Sequence, residues 1–212
     1  MYKLQYISQG DTQEEQLNNI QKALEFGCRW IQLRFKKANT ETLEQTALLA
    51  KELCQKFDAI FIINDHVALA KKIDADGVHL GLTDTSIKEA RELLGEEKII
   101  GGTVNTYEDV VQRFHEKCTY VGLGPFKFTS TKEKLSPILG LEGYKEIMST
   151  LKSEGIKIPI FAIGGVLEED IYPIINTGIY GIAVSGLITN NPTESIQNKM
   201  AELNSEPSNQ KY

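Results

Sequence analysis

The segment Gln32-Leu-Arg34-Phe-Lys36 sets an amide and two cations at every second position, with apolar residues between them. In an extended run alternate side chains share a face, so Gln32, Arg34 and Lys36 point one way while Leu33 and Phe35 point the other. Cations gathered on one inward face are costly unless an anion meets them. The alternative is that the strand has ended and the cations are solvated. Two acids follow at comparable places: Asp65 in Asn64-Asp65-His66, and Asp84 in His79-Leu-Gly-Leu-Thr-Asp84. Each precedes a helical pattern, so each could be a helix cap or a turn residue. Above neighbouring strands, about 4.8 Å apart, the two carboxylates could instead converge, and they repel unless a cation lies between them. Hard oxygen ligands beside bound phosphates suggest Mg²⁺. His79 reads as a packed strand-end residue rather than a ligand, since no second His is placed to help it.

Further along, Gly101-Gly-Thr103-Val-Asn105 combines close backbone approach with polar tips. The stretch from Gly122 to about Gly140 is long for a connection and carries Thr129-Ser130-Thr131-Lys132 together with Lys127 and Lys134. Loops of that length are often lids. Gly164-Gly165 and Ser185-Gly186 fall where a phosphate is frequently held by backbone N–H groups. The implied site takes two anionic molecules, one of them a diphosphate carried with Mg²⁺. No Ser/His or Cys/His pair presents a nucleophile and its base. Displacement of diphosphate needs none: metal and cations stabilise the leaving group, and the acceptor is held in line.

The elements that must position these residues follow from short apolar runs alternating with longer amphipathic stretches. Strands are expected at 3–7, 30–33, 59–63, 77–80, 99–102, 120–123, 159–163 and 181–184. Helices are expected at 12–25, 40–56, 66–72, 86–94, 107–116, 141–153, 168–176 and 192–203. Thr12 and Thr40 are the expected hydroxyl caps of the first two helices. Leu43, Ala47, Ala50 and Leu53 recur at helical spacing and form the expected buried stripe of the second. Eight strand–helix units averaging about 26 residues fit a closed (β/α)8 TIM barrel, whose chemistry sits at the C-terminal strand ends. An open doubly wound sheet is the runner-up, but Ser8-Gln-Gly-Asp11 is not its glycine fingerprint. One barrel domain is expected over 1–204, followed by a polar, disordered tail over 205–212.

The 212 residues carry 23 Lys and Arg against 29 Asp and Glu, a net charge of −6 that argues against a general nucleic-acid or membrane-surface binder. Any anion site must therefore be local. Cys28, Cys54 and Cys118 form no CxxC pair and no metal spacing, which reads as reduced thiols in the cytoplasm. Met1-Tyr-Lys-Leu-Gln-Tyr lacks the pattern of a signal peptide. No apolar run approaches the ~20 residues of a membrane span.

These blocks, in this order, resemble the thiamine phosphate synthase family across nearly the whole chain. The carrying segments are Gln32-Leu-Arg-Phe-Lys36, Ile63-Asn-Asp-His-Val67, Asp76-Gly-Val-His-Leu-Gly81 with Asp84, and Tyr120-Val-Gly-Leu-Gly-Pro125. To these are added Thr129-Ser-Thr-Lys132, Phe161-Ala-Ile-Gly-Gly165 and Gly181-Ile-Ala-Val-Ser185. The resemblance implies the same barrel and a transferase that joins a hydroxymethylpyrimidine diphosphate to a thiazole phosphate, with diphosphate leaving by a dissociative route. It implies that Gln32, Arg34, Lys36, Asn64, Thr103 and Lys132 meet the pyrimidine diphosphate. Of these, Arg34, Lys36, Lys132 and Thr103 are the catalytic set. Asp65 and Asp84 would bind one Mg²⁺ per site. Thr129, Ser130, Thr131, Gly165, Val184 and Ser185 would hold the thiazole phosphate. The implied partners are these small molecules, with no nucleic acid and no membrane, and a homo-oligomer is compatible with the reading. Phe35, Leu82, Phe128, Thr103 and Gly186 depart from the family's usual residues, and none of them removes a ligand. The rival readings are a thiazole tautomerase, whose base would fall at Asn105, a non-catalytic phosphate-binding barrel, and a generic aldolase or isomerase.

Overall fold

Strands of four to six residues alternate their side chains between two environments. In the computed structural model, which describes residues 1–128, 137–190 and 192–205, these are β1 (Leu4–Ile7), β2 (Trp30–Leu33), β3 (Ile60–Asn64) and β4 (Gly77–Leu80). They continue as β5 (Ile99–Val104), β6 (Tyr120–Leu123), β7 (Ile160–Ile163) and β8 (Gly181–Val184). All pair in parallel in sequence order, and β1 closes on β8 to complete the barrel. The helices are α1 (Gln13–Glu25), α2 (Thr40–Lys56), α3 (Val67–Lys72), α4 (Ile87–Leu94), α5 (Tyr107–His115) and α6 (Gly140–Ser153). After a 3₁₀ turn at Glu168–Asp170 come α7 (Ile171–Ile175), α8 (Gly186–Asn190) and α9 (Glu194–Ser205). Among the described residues, no helix is long and apolar enough to cross a membrane.

The alternation builds two cores. Outward residues such as Leu33, Ile63, Val78 and Leu123 pack against the helices. Inward residues Ile7, Trp30, Ile62, Tyr120, Phe161, Tyr180 and Ala183 fill the barrel. Trp30, Tyr120 and Phe161 meet edge to face, with ring centroids 4.8, 5.1 and 5.5 Å apart. Full burial of each ring contributes on the order of 2–3 kcal/mol. Room for the Tyr120 ring comes from Gly101 across the β5–β6 pair, where a side chain would collide with it. These aromatics plug the barrel below the polar mouth.

Several local expectations are corrected. The cap of α2 is Asn39, whose Oδ1 accepts from Thr42 N at 2.8 Å, and Thr40 is already helical. Asn caps as well as Thr does, and here it is the residue with extended backbone. Thr46 and Cys54 join the buried stripe of α2, while Leu53 is only half-buried. The expected 168–176 helix is split into the 3₁₀ turn and α7, and α8 adds a helix start directly after β8. Thr193 Oγ1 accepts from Ile196 N at 3.2 Å, so α9 begins after Pro192 rather than at it and runs through Ser205. The rest of the expected tail lies outside the described residues.

Candidate active site

The alternation of β2 continues past the end of the strand. Gln32 is buried inward, Leu33 and Phe35 are buried against the helices, and Arg34 is half-buried at the mouth. Lys36 reaches the rim with its side chain 58% exposed, so solvation describes Lys36 in part but not Arg34. Ser8 Oγ holds the Arg34 N–H at 2.9 Å and Gln16 Nε2 donates to its carbonyl at 3.4 Å, which ties the turn to β1 and α1. Burial pulls the Arg34 guanidinium below its ordinary pKa, and the Asp65 charge partly offsets that.

Asp65 is not a helix cap. His66 occupies that position on α3 without a side-chain bond, while Asp65 itself sits at φ +65. A left-handed residue other than glycine costs about 1 kcal/mol, and Asp is among the few types that tolerate it. The twist sends the carboxylate to the rim, 3.6 Å from Lys36 Nζ and within hydrogen-bonding reach of Asp84. Burial, then the Asp84 hydrogen bond and charge, push the Asp65 carboxyl above its usual range, against the pull of Lys36 and Arg34. Asp84 accepts from Gly81 N at 2.6 Å, so it is a turn residue as well as a rim acid, and Ser86 caps α4. Buried Arg113 on α5 donates to the Gly81 carbonyl at 3.0 Å and steadies that turn.

Below the charges runs a chain of buried polar contacts. Gln32 Nε2 donates to Gln5 Oε1 at 3.0 Å, and Gln5 Nε2 donates to the Tyr120 hydroxyl at 3.0 Å. That hydroxyl lies 2.9 Å from His79 Nδ1, and His79 Nε2 lies 3.0 Å from Thr103 Oγ1. His79 is the packed strand-end residue expected, and Thr103 belongs to β5 itself.

The opposite wall is mostly backbone. Gly164 and Gly165 both hold positive φ, +92 and +68. A Cβ on Gly165 would lie 2.7 Å from Phe128 O, so only glycine fits against the segment after β6. That segment is pinned by Phe126 N to Ile163 O and Lys127 N to Gly164 O, both 2.9 Å. Lys127 is a strut: its Nζ pairs with Asp170 at 2.8 Å. Neither Gly165 nor Val166 donates its N–H to a backbone carbonyl among the described residues. Ser185 Oγ donates to Gln9 Oε1 at 3.0 Å, and its carbonyl accepts from Ile188 N and Thr189 N at 3.1 Å where α8 starts.

Gln32, Arg34, Asn64, Thr103, Gly165, Val184 and Ser185 all line one cavity of ≈ 520 Å³. Lys36, Asp65 and Asp84 do not line it but gather beside Arg34: Lys36 Nζ lies 3.6 Å from Asp65, and Asp84 meets Asp65. Thr129, Ser130, Thr131 and Lys132 lie outside the described residues. The sequence reading missed Gln5, Tyr120, Ser8 and Gln9. Gln5 carried a signal: it is a polar residue at an inward position between outward Leu4 and Tyr6.

Comparison with known proteins agrees with this geometry. Residues 4–188 match the thiamine monophosphate synthase family. The chain is 64% identical to a thiamine-phosphate synthase of Flavobacterium psychrophilum over 88% of its own length and 91% of the relative's. It is 56% identical to that of Flavobacterium johnsoniae, covering 92% of each. A solved thiamine phosphate pyrophosphorylase from Pyrococcus furiosus superposes with a TM-score of 0.78 at 31% identity, covering 95% of this chain and 93% of that one. The chain belongs to the thiamine monophosphate synthase family.

Proposed function

We propose that the chain joins 4-amino-2-methyl-5-hydroxymethylpyrimidine diphosphate to thiazole phosphate, giving thiamine phosphate and diphosphate. The carbon–oxygen bond of the pyrimidine methylene breaks and diphosphate leaves with the electron pair. The thiazole nitrogen then supplies the pair for the new carbon–nitrogen bond. A carboxylated thiazole would lose CO₂ as well. The observation that carries the reading is the pairing of two walls across one cavity. Arg34 lines it opposite the Gly164-Gly165 backbone, and Lys36, Asp65 and Asp84 gather beside Arg34.

In this reading Gln32, Asn64 and Thr103 bind the pyrimidine diphosphate. Arg34 and Lys36 meet the charge that grows on the departing diphosphate, where fixed cations act most strongly. Gly165, Val184, Ser185 and the Thr129–Thr131 hydroxyls would hold the thiazole phosphate, and Lys132 would also touch the diphosphate. Asp65 and Asp84 suit one Mg²⁺, because two converging hard carboxylates leave the remaining positions to phosphate oxygens and water. Burial and then Asp84 raise the Asp65 carboxyl, and a cation bound between the two acids would relieve the Asp84 part. Bound there, Mg²⁺ would supply neutralisation of the diphosphate.

Burial pushes the thiols of Cys28, Cys54 and Cys118 up to about 12, which suits a reaction without a thiol nucleophile. We place the protein in the cytoplasm because all three cysteines are free and buried. Thiazole isomerisation would need a base beside the ring. Asn105, at that position, has no basic atom and donates to the Gly124 carbonyl. The test is a coupling assay on purified protein with both substrates, in Mg²⁺ or in EDTA, read as fluorescent thiochrome phosphate. Product that requires Mg²⁺ is expected. Folded protein that forms none would overturn the reading.

A further inference from the structure

Gln5 and Tyr120 lie behind the cavity and His79 lines it beside Thr103, and these three residues connect both ends of the pyrimidine site. We propose that they are positioning residues: their buried hydrogen bonds fix which atom of Gln32 and which atom of Thr103 is offered to the substrate. The proposal rests on the reading that Gln32 and Thr103 bind the pyrimidine diphosphate.

The chain has a sense, set by the orientation of the Gln32 and Gln5 amides. Gln32 gives an N–H to Gln5 Oε1, and Gln5 gives an N–H to the Tyr120 hydroxyl. Having accepted, Tyr120 has its single proton left for His79 Nδ1, 2.9 Å away. Burial raises the Tyr120 phenol far above its ordinary pKa, so that proton stays. A His79 ring that accepts at Nδ1 carries its proton on Nε2 and donates it to Thr103 Oγ1 at 3.0 Å. Thr103 is then left with its own proton free for the cavity that both end residues line. At the other end Gln32 keeps its carbonyl oxygen, which has no partner among the described residues and is not sealed from the cavity.

Both ends therefore present a defined polarity. Gln32 accepts, so the ring edge it meets must carry an N–H, as an aminopyrimidine does. A ring with a carbonyl at that edge would set oxygen against oxygen. Thr103 donates, as an anionic oxygen requires. The substrate class that matches this sense has an amino-bearing ring edge and an anionic tail. Burial makes the sense costly to break, because a relay with one member turned leaves unsatisfied polar groups in the barrel.

Two variants and one direct measurement test this. Tyr120→Phe keeps the ring and removes the hydroxyl, and Gln5→Leu removes the amide. Each is expected to raise KM for the pyrimidine diphosphate about tenfold, the equivalent of one lost hydrogen bond. KM for the thiazole phosphate should stay within about twofold. The preference for the 4-amino over the 4-oxo pyrimidine diphosphate should also shrink, a change that a merely structural role would not produce. Folded variants with wild-type KM and wild-type preference would overturn the proposal. Nitrogen-15 NMR of histidine-labelled wild-type protein decides it independently of folding in the variants and of any activity. A neutral His79 with its proton on Nε2 is expected, and a proton on Nδ1 would overturn it. Wild-type protein without coupling activity would instead remove the functional reading, whatever the tautomer.

Discussion

Across the mouth, β2 to β4 furnish the site with charged side chains, whereas β7 and β8 furnish it with backbone. The first wall holds Arg34, Lys36, Asp65 and Asp84, and it stores unfavourable electrostatics: Arg34 is pulled down in pKa by burial and Asp65 is pushed up. The second wall holds two glycines at positive φ and the start of a short helix, and its cost is conformational freedom rather than charge. The contrast suits the proposed chemistry. A leaving group that gains charge needs partners of full charge, placed in advance. A phosphate that only has to be held can be met by N–H dipoles. The two walls should therefore fail in different ways.

The largest expected effect is on the charged wall. Asp65→Asn should lower kcat by about 10²–10³, the scale of losing one well-placed electrostatic group. Steady-state kinetics in saturating Mg²⁺ would show this, and a folded variant turning over like wild type would remove Asp65 from its role. The backbone wall should respond in KM instead. Gly165→Ala forces a side chain into φ +68 and against Phe128 O, so the cradle must shift. KM for the thiazole phosphate should rise about tenfold, with KM for the pyrimidine diphosphate unchanged. A loss shared equally by both substrates would dissolve the division between the walls.

A smaller effect sharpens it. Lys127 braces the backbone wall, with Asp170 almost fully buried under it. Lys127→Met should destabilise the fold by about 1–2 kcal/mol, because Asp170 then keeps its charge with only the Leu167 N–H to meet it. Chemical denaturation would measure the loss. An unchanged midpoint would mean that the backbone contacts of Phe126 and Lys127 hold the wall alone.

The charged wall was far more legible in the sequence than the interior behind it. Gln32, Arg34 and Lys36 announce themselves because Leu33 and Phe35 alternate with them, and period two survives the end of the strand. The eight strands were visible for the same reason, and their cores fall to within a residue or two of the expected bounds. Asp65 was ambiguous because a cap and a rim acid have the same sequence signature, and only its left-handed backbone separates them. Gln5 and Tyr120 meet across 115 positions through the barrel centre, a contact that no local pattern encodes. Gly101 read as a glycine for close backbone approach, while its structural use is to vacate space for a ring on the next strand. Asn39 and Thr40 were both good caps by type, and one residue of backbone geometry chose between them.

The subtlest expected effect sets the charged wall against its own stability. Asp65 titrates above the ordinary carboxylate range in the folded protein, chiefly through burial and Asp84. Between the unfolded and folded values the native state binds the extra proton, so stability falls as pH rises through that window. Above it, wild-type protein in EDTA carries an ionised Asp65 that its surroundings disfavour on balance, despite Lys36 at 3.6 Å. Asp65→Asn removes that charge and tolerates the same left-handed backbone. In EDTA at pH 8 the variant should therefore melt about 2 °C above wild type, and the gap should close as the pH falls through the carboxylate range. Mg²⁺ should raise the wild-type midpoint by mass action and leave the variant nearly unmoved. Thermal melts at three pH values, each in EDTA and in Mg²⁺, would read all of this. A gap that ignores pH would assign the change to backbone fit, and a wild type that melts higher at pH 8 without metal would mean that Lys36 and Arg34 already balance the acid pair.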